Sequence, residues 1–313
     1  MTEPVPLLDS RQVARFVARG FLRFDGVVPA EINDAFMSEV PPFERGEGEP
    51  LMVAYGRMLA RCGVPEIPAG LPFEGAFDGA SPLGRLFALP VFRGIVTSLL
   101  GAAPRFDHHF LHLAFPPSAY RETDPPQRSQ HLHQDSTIDP RRRAFDLQIM
   151  YYPHEVGPED GGTRYLPGSH LRVVSEAAIA RYQNVVGQQH VVCPAGTLLV
   201  LHHGIWHGGG INRGTGMRAM YKIRLNPTVP QVRTWDTSDL PEDGGAQRPI
   251  FLRKGPGDPE DLHEILARPE AWYEDDTGRL ELLERARLWR HMIGSPGADV
   301  DYWLTRVENE PAT

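Results

Sequence analysis

The chain has 313 residues, 41% hydrophobic and 23% charged, which is ordinary globular usage and permits a core of normal size without staples. A formal net charge of −8 argues against nucleic acid as an electrostatically captured partner, and no apolar run is long enough to suggest a membrane span. Two cysteines in unlike settings, Cys62 and Cys193, build neither a disulfide framework nor a Cys-rich zinc site, and the Met-Thr-Glu-Pro-Val-Pro start lacks a basic or apolar signal region, so the expected compartment is the cytoplasm.

Residues 9–39 read as helix, short strand, helix. Ser10 is a candidate cap for a helix over Gln12–Ala18, Gly20 ends it, and Phe21-Leu22-Arg23-Phe24 suits a strand. Pro29 and the spacing of Ile32, Ala35 and Phe36 support the second helix. Residues 40–80 are rich in Pro and Gly around a helical patch at Met52–Cys62, and Val91–Leu100 reads as a helix closed by Gly101.

From Phe106 the texture changes to strands. Phe106–Phe115 alternates roughly, and Pro116-Pro117 breaks it. Residues 117–130 have loop composition and few apolar residues, which predicts a mobile lid. Strands are expected near 131–136, 145–152, 162–166, 189–193, 197–203 and 218–226, several bounded by turn signals such as Asp160-Gly161-Gly162. After Pro230 the chain is loop-like, then helical over Leu280–Met292, with Leu282, Ala286, Trp289 and Ile293 in register. The expected fold is mainly β: a single domain whose jelly-roll core (about 105–228) is covered by helices before it (about 1–104) and after it (about 229–313).

Thirteen histidines, many of them between His108 and His207, mark where chemistry belongs. In His131-Leu132-His133-Gln134-Asp135, a strand sends residues two apart to one face, so His133 and Asp135 aim a nitrogen and a carboxylate into one cavity. A third ligand from a distant strand would complete a 2-His-1-carboxylate face with open positions, which favours non-haem iron(II). His131 shares the face of His133 and competes for the role.

Downstream come Asp160-Gly161-Gly162-Thr163, Leu166-Pro167-Gly168-Ser169-His170, Pro194-Ala195-Gly196-Thr197 and Trp206-His207-Gly208-Gly209-Gly210, with Arg218 eleven residues after His207. This ordered set resembles the phytanoyl-CoA dioxygenase family of double-stranded β-helix oxygenases, over about residues 106–226. The resemblance implies His133, Asp135 and His207 as iron(II) ligands, 2-oxoglutarate as co-substrate and O2 as oxidant. It assigns Arg218 to the far carboxylate of 2-oxoglutarate, with Gln148 and Thr163 as further hydrogen-bond candidates. Met220 stands where relatives often place a hydroxyl, and Met150 where some place an aromatic residue. His207 and Arg218 flank a hairpin expected to turn at Asn212–Gly216, which puts them on neighbouring strands, and a guanidinium there suits a carboxylate because it gives two parallel charged hydrogen bonds.

The implied activity is hydroxylation of a small organic substrate, an acyl-CoA, an amino acid or a secondary metabolite. Desaturation, cyclisation and a non-catalytic jelly-roll binding module stay open, as does a zinc hydrolase, although Arg218 would then lack a purpose. Asp135 weighs against halogenation, in which halide takes the carboxylate's place. His170, His202 and His203 read as structural, and pocket lining is open for one of His108, His109 and His112. Tyr120, Arg128 and Arg141-Arg142-Arg143 are candidate substrate contacts, the last for an anionic one, whereas Asp139 is wrongly spaced for the metal.

Overall fold

The computed structural model describes residues 5–64, 66–135, 144–172, 184–242, 244–245, 257–273 and 278–295. Asp139 and Arg141-Arg142-Arg143 lie outside the described residues.

The N-terminal cover begins with α1 (Ser10–Arg19), β1 (Phe21–Phe24) and α2 (Ala30–Ser38). Asp9, not Ser10, caps α1. Its carboxylate accepts the Gln12 N–H at 2.7 Å while the Gln12 side chain accepts the Asp9 N–H at 3.0 Å, closing a capping box. Ser10 is the first helical residue and accepts the indole N–H of Trp235 instead. Gly20 ends the helix at φ 76°, and a Cβ there would lie 2.5 Å from His170 Nδ1, so both the turn and the close approach require glycine.

Three helices follow: α3 (Leu51–Ala60), α4 (Pro82–Ala88) and α5 (Pro90–Leu100). The sequence reading misses α4 because Pro82 and Gly84 look like breakers. Pro82 instead occupies the first turn, and Ser81 accepts the Gly84 N–H at 3.0 Å.

The β core comprises β2 (Arg105–Ala114), β3 (Leu147–Tyr152), β4 (Thr163–Tyr165), β5 (Gln189–His190), β6 (Thr197–His202), β7 (His207–Gly209) and β8 (Arg218–Asn226). One sheet has the order β1-β6-β3-β8-β2 and the other β5-β4-β7, with every pairing antiparallel. The strand expected over 131–136 reduces to a single bridge from His133 to His207 beside β7. The chain thus passes back and forth between two sheets, the winding of a double-stranded β-helix, as expected.

Alternation along the strands sorts two cores. Leu147, Ile149 and Tyr151 of β3 join Tyr221, Ile223 and Leu225 of β8 beneath α1, α2 and α5, where Phe16, Phe36 and Leu99 are fully buried. Met150, Tyr152, Leu199, Leu201 and Met220 face the other way and meet Tyr165 and Val191 between the sheets. Full burial of each such side chain is worth about 1.5–3 kcal/mol, so the helical cover is held by the outer core. Two C-terminal helices, α6 (Leu262–Ala267) and α7 (Gly278–Met292), complete the described structure. Leu283, Ala286, Trp289 and Met292 of α7 are buried, and α6, too short to show a helical period, was not expected. No single described helix is long and apolar enough to cross a membrane.

Two further expectations need correction. The 211–217 connection is not a hairpin between neighbouring strands: β7 and β8 belong to different sheets, so His207 and Arg218 reach one cavity from opposite walls. The 117–130 segment, expected to have few anchors, is tied down by polar contacts beside the packing of Ala119 and Tyr120 on the outer core. Arg45 grips Asp124 at 2.5 and 2.7 Å, and the Gln127 amide donates to the Phe115 and Asn212 carbonyls at 3.0 and 2.9 Å.

Candidate metal centre

The site lies between the sheets. His133 and His207 exchange both backbone hydrogen bonds, at 2.9 and 3.0 Å, which sends their side chains to one face with ring centroids 4.5 Å apart. Each Nδ1 lies 3.0 Å from the carbonyl two residues earlier, His131 in one case and Ile205 in the other. An N–H at Nδ1 satisfies those carbonyls and leaves the Nε2 lone pairs facing inward, the arrangement a ligating imidazole requires.

Asp135 completes the cluster, with Oδ1 3.2 Å from His133 Nε2 and Oδ2 3.5 Å from His207 Nε2. One ligand atom from each residue lies within 4.8 Å of the others, and no other cluster of three such donors is found among the described residues. Burial by itself would raise the Asp135 carboxyl. Without a metal, an Nε2–H of each imidazole can face the carboxylate instead, and hydrogen bonds from His133 and His207, with the charges of His207 and Lys222, outweigh burial and hold the group far below the usual carboxylate range. Two imidazoles and one ionised carboxylate, each with a donor atom turned inward, fit a first-row divalent ion with open positions. His131 contributes its carbonyl to this arrangement and is not in the cluster.

Arg218 lines the same cavity at 4% exposure. Its Nη2 donates to the Gly161 carbonyl at 2.9 Å, while Nε is buried without a partner. Among the described residues no carboxylate pairs with it, and burial lowers its pKa. Gly161 can present that carbonyl because its φ of 69° carries the chain past Asn212, whose backbone N would lie 2.6 Å from any Cβ.

The remaining candidates separate clearly. Thr163 lines the cavity, where its hydroxyl accepts from Tyr152 at 2.8 Å. The Gln148 amide nitrogen lies 3.2 Å from His207 Nε2, at the metal end of the site, and its oxygen has no partner. Of the three histidines on β2, it is His112 that lines the cavity; its Nε2 is unpartnered and burial pushes its pKa down to about 4. His109 instead accepts the Ile67 N–H at 2.8 Å and meets the Tyr221 hydroxyl at 2.7 Å, tying the cover to the sheet. His170 reaches the Val17 carbonyl at 3.0 Å, His202 accepts the Gly204 N–H and His203 the Asp146 N–H, all away from the ligand cluster. Tyr120 packs against the outer core and Arg128 is exposed.

Sequence reasoning missed two inward cations. Lys222 Nζ lies 3.2 Å from Asp135 Oδ2. Arg224 donates to the Asp135 carbonyl at 2.8 Å and to the Asp146 carboxylate at 2.6 Å. The signal was present in Arg218-Ala-Met-Tyr-Lys222-Ile-Arg224, which repeats cations at even spacing and so puts them on the face of Arg218.

Residues 76–220 match the family model for phytanoyl-CoA dioxygenase (PhyH). No curated protein matches the chain in sequence. Similar solved structures include HygX from Streptomyces hygroscopicus with nickel and 2-oxoglutarate bound, at 16% identity and TM-score 0.49, covering 76% of this chain and 94% of that one. Another is the non-haem α-ketoglutarate-dependent epimerase SnoN from nogalamycin biosynthesis, at 18% identity and TM-score 0.48, covering 69% and 82%. A third is the non-haem monooxygenase ThoJ, at 19% identity and TM-score 0.49, covering 70% and 80%. The matched span runs from before β2 into β8 and contains His133, Asp135, His207 and Arg218, so the chain carries a phytanoyl-CoA dioxygenase (PhyH) domain match over residues 76–220.

Proposed function

We propose that the protein is an iron(II)- and 2-oxoglutarate-dependent oxygenase acting on a small organic substrate. The observation that carries this reading is a buried guanidinium, free of any carboxylate among the described residues, sharing one cavity with the His133–Asp135–His207 cluster. An unpaired buried charge is costly unless an anion arrives to meet it. A zinc hydrolase would have no use for it.

In this reading His133, Asp135 and His207 hold iron(II), and Arg218 receives the far carboxylate of 2-oxoglutarate through paired hydrogen bonds. Thr163 borders that co-substrate, and Gln148 orients around His207. Iron(II) supplies oxygen activation when bound, with 2-oxoglutarate giving succinate and carbon dioxide as the substrate is oxidised. The chain contributes placement: opposed sheets fix the ligands, and apolar neighbours such as Met150 and Met220 keep the cavity dry. With Asp135 present, hydroxylation is the favoured outcome; desaturation and cyclisation use the same residues.

The test is direct. Anaerobic protein should bind one equivalent of iron(II), then 2-oxoglutarate, and release succinate under air with a suitable member of a substrate panel. Retention of zinc in preference to iron, with no 2-oxoglutarate binding, would sink the reading.

A further inference from the structure

The inward face of β8 carries three cations with different accounts. Arg218 awaits the co-substrate in the reading above, on which this inference rests. Arg224 is satisfied by Asp146 and also approaches Asp107 at 3.2 Å. Lys222, 8% exposed, has one ion-pair partner among the described residues, Asp135, and that is the carboxylate the metal would claim. Among the described residues, a dication, Arg218 and Lys222 are in direct reach of only three carboxylates, those of Asp135 and of 2-oxoglutarate, while Asp160 acts on Arg218 from beyond pairing distance. One positive charge stays unmet in a buried cavity. Asp107 does not meet it, being 35% exposed and engaged with His108 and Arg224.

Beside this charge lies a place for a molecule. A groove of about 490 Å³ runs between α3 and the edge of β2, bordered by Tyr55, Leu59, Ile67 and Phe110. It shares His112 with the metal cavity, and Phe110, 54% exposed, has its ring centre 5.8 Å from Lys222 Nζ. Clefts of roughly 300–1,000 Å³ take small-molecule ligands. An exposed aromatic ring beside a buried ammonium offers a flat surface to the body of the ligand and a charge to its acid.

We propose that Lys222 is a specificity-determining residue for the substrate: its ammonium receives a carboxylate of a molecule whose apolar or aromatic body lies on Phe110 in the groove. A single unmet charge fits a carboxylate better than a phosphate, which carries about −1.5 to −2 at neutral pH.

The experiment uses the full chain loaded with redox-inert nickel(II) and saturating 2-oxoglutarate. It is titrated calorimetrically with aromatic acids from benzoate to 4-phenylbutyrate, each beside its amide. At least one acid should bind about tenfold or more tighter than its amide. Lys222→Gln should remove that preference and Lys222→Arg should keep it, each variant being titrated with acid only after its nickel and 2-oxoglutarate occupancy has been brought to saturation. Metal-free protein should show no preference, because Asp135 then occupies Lys222. Equal binding of acid and amide, no binding of either, or a preference that survives in Lys222→Gln overturns the proposal. So does loss of nickel from Lys222→Gln, which would make Lys222 a positioning residue for Asp135. Failure of the metal or co-substrate reading appears earlier, as wild-type protein that takes up no nickel or no 2-oxoglutarate before any acid is added.

Discussion

His133 and His207 sit directly opposite each other as a hydrogen-bonded pair, so a local backbone ladder brings together two residues 74 positions apart. Their spacing does not depend on a loop. Substitution of either imidazole should therefore remove a ligand without moving the other two.

His133→Ala, Asp135→Ala and His207→Ala should each abolish stoichiometric iron(II) retention while leaving the fold intact. Metal content after gel filtration, read with circular dichroism, checks this. Two of the three variants retaining full iron would refute the assignment.

Arg218→Ala should weaken 2-oxoglutarate by about a hundredfold or more, since losing one partner of a buried ion pair costs about 3–5 kcal/mol. Arg218→Lys should recover part, because a single ammonium cannot reproduce the planar fork. Iron affinity should change little. Calorimetric titration against iron-loaded or nickel-loaded protein measures both, and an unchanged 2-oxoglutarate affinity in Arg218→Ala would remove the residue from this role.

Arg45→Met should loosen 117–130, because Asp124 is the two-pronged partner of Arg45 and apolar anchors are few there. Arg45 and the Arg121 N–H lead in holding the Asp124 carboxyl down at about 2. With the folded pKa depressed, the contribution is complete above about pH 4 and is lost as pH falls toward 2. Hydrogen exchange at neutral pH should show faster exchange of these amides in Arg45→Met; identical protection would show that the remaining contacts suffice.

Histidines held neutral by desolvation lead the response to mild acid. Burial pushes His112 to about 4 and His170 to about 3, and holds His202 well below the ordinary range. Unfolding frees each to bind a proton near pH 6.5, so stability is highest above about pH 7 and declines as pH falls below 6.5. Each contributes about 1.4 kcal/mol per pH unit across its window. Urea unfolding of metal-free protein between pH 5 and 7.5 should give a slope reduced by about one proton in His170→Asn. An unchanged slope would count against a neutral buried His170.

Much of the site was legible in the chain because its logic is local. The two-residue spacing of His133 and Asp135 sufficed to read a shared cavity, although the segment forms a single bridge and no strand, and the resemblance carried by the order of motifs up to His207 and Arg218 implied a double-stranded β-helix. Helix caps such as Gly20 and Gly101 were readable for the same reason, since a left-handed or extended glycine acts on its own turn. Other features depended on which surfaces meet. That His207 and Arg218 reach the cavity from opposite sheets follows from the path of 211–217 through space, which composition does not encode. His112 became the cavity histidine, and His109 a structural one, because a register shift between Phe106 and His108 sets which face of β2 each presents. Lys222 could be read as inward-facing, but not as the neighbour of Asp135: that 3.2 Å approach exists only once β8 and the segment carrying Asp135 are brought face to face by the packing of the two sheets.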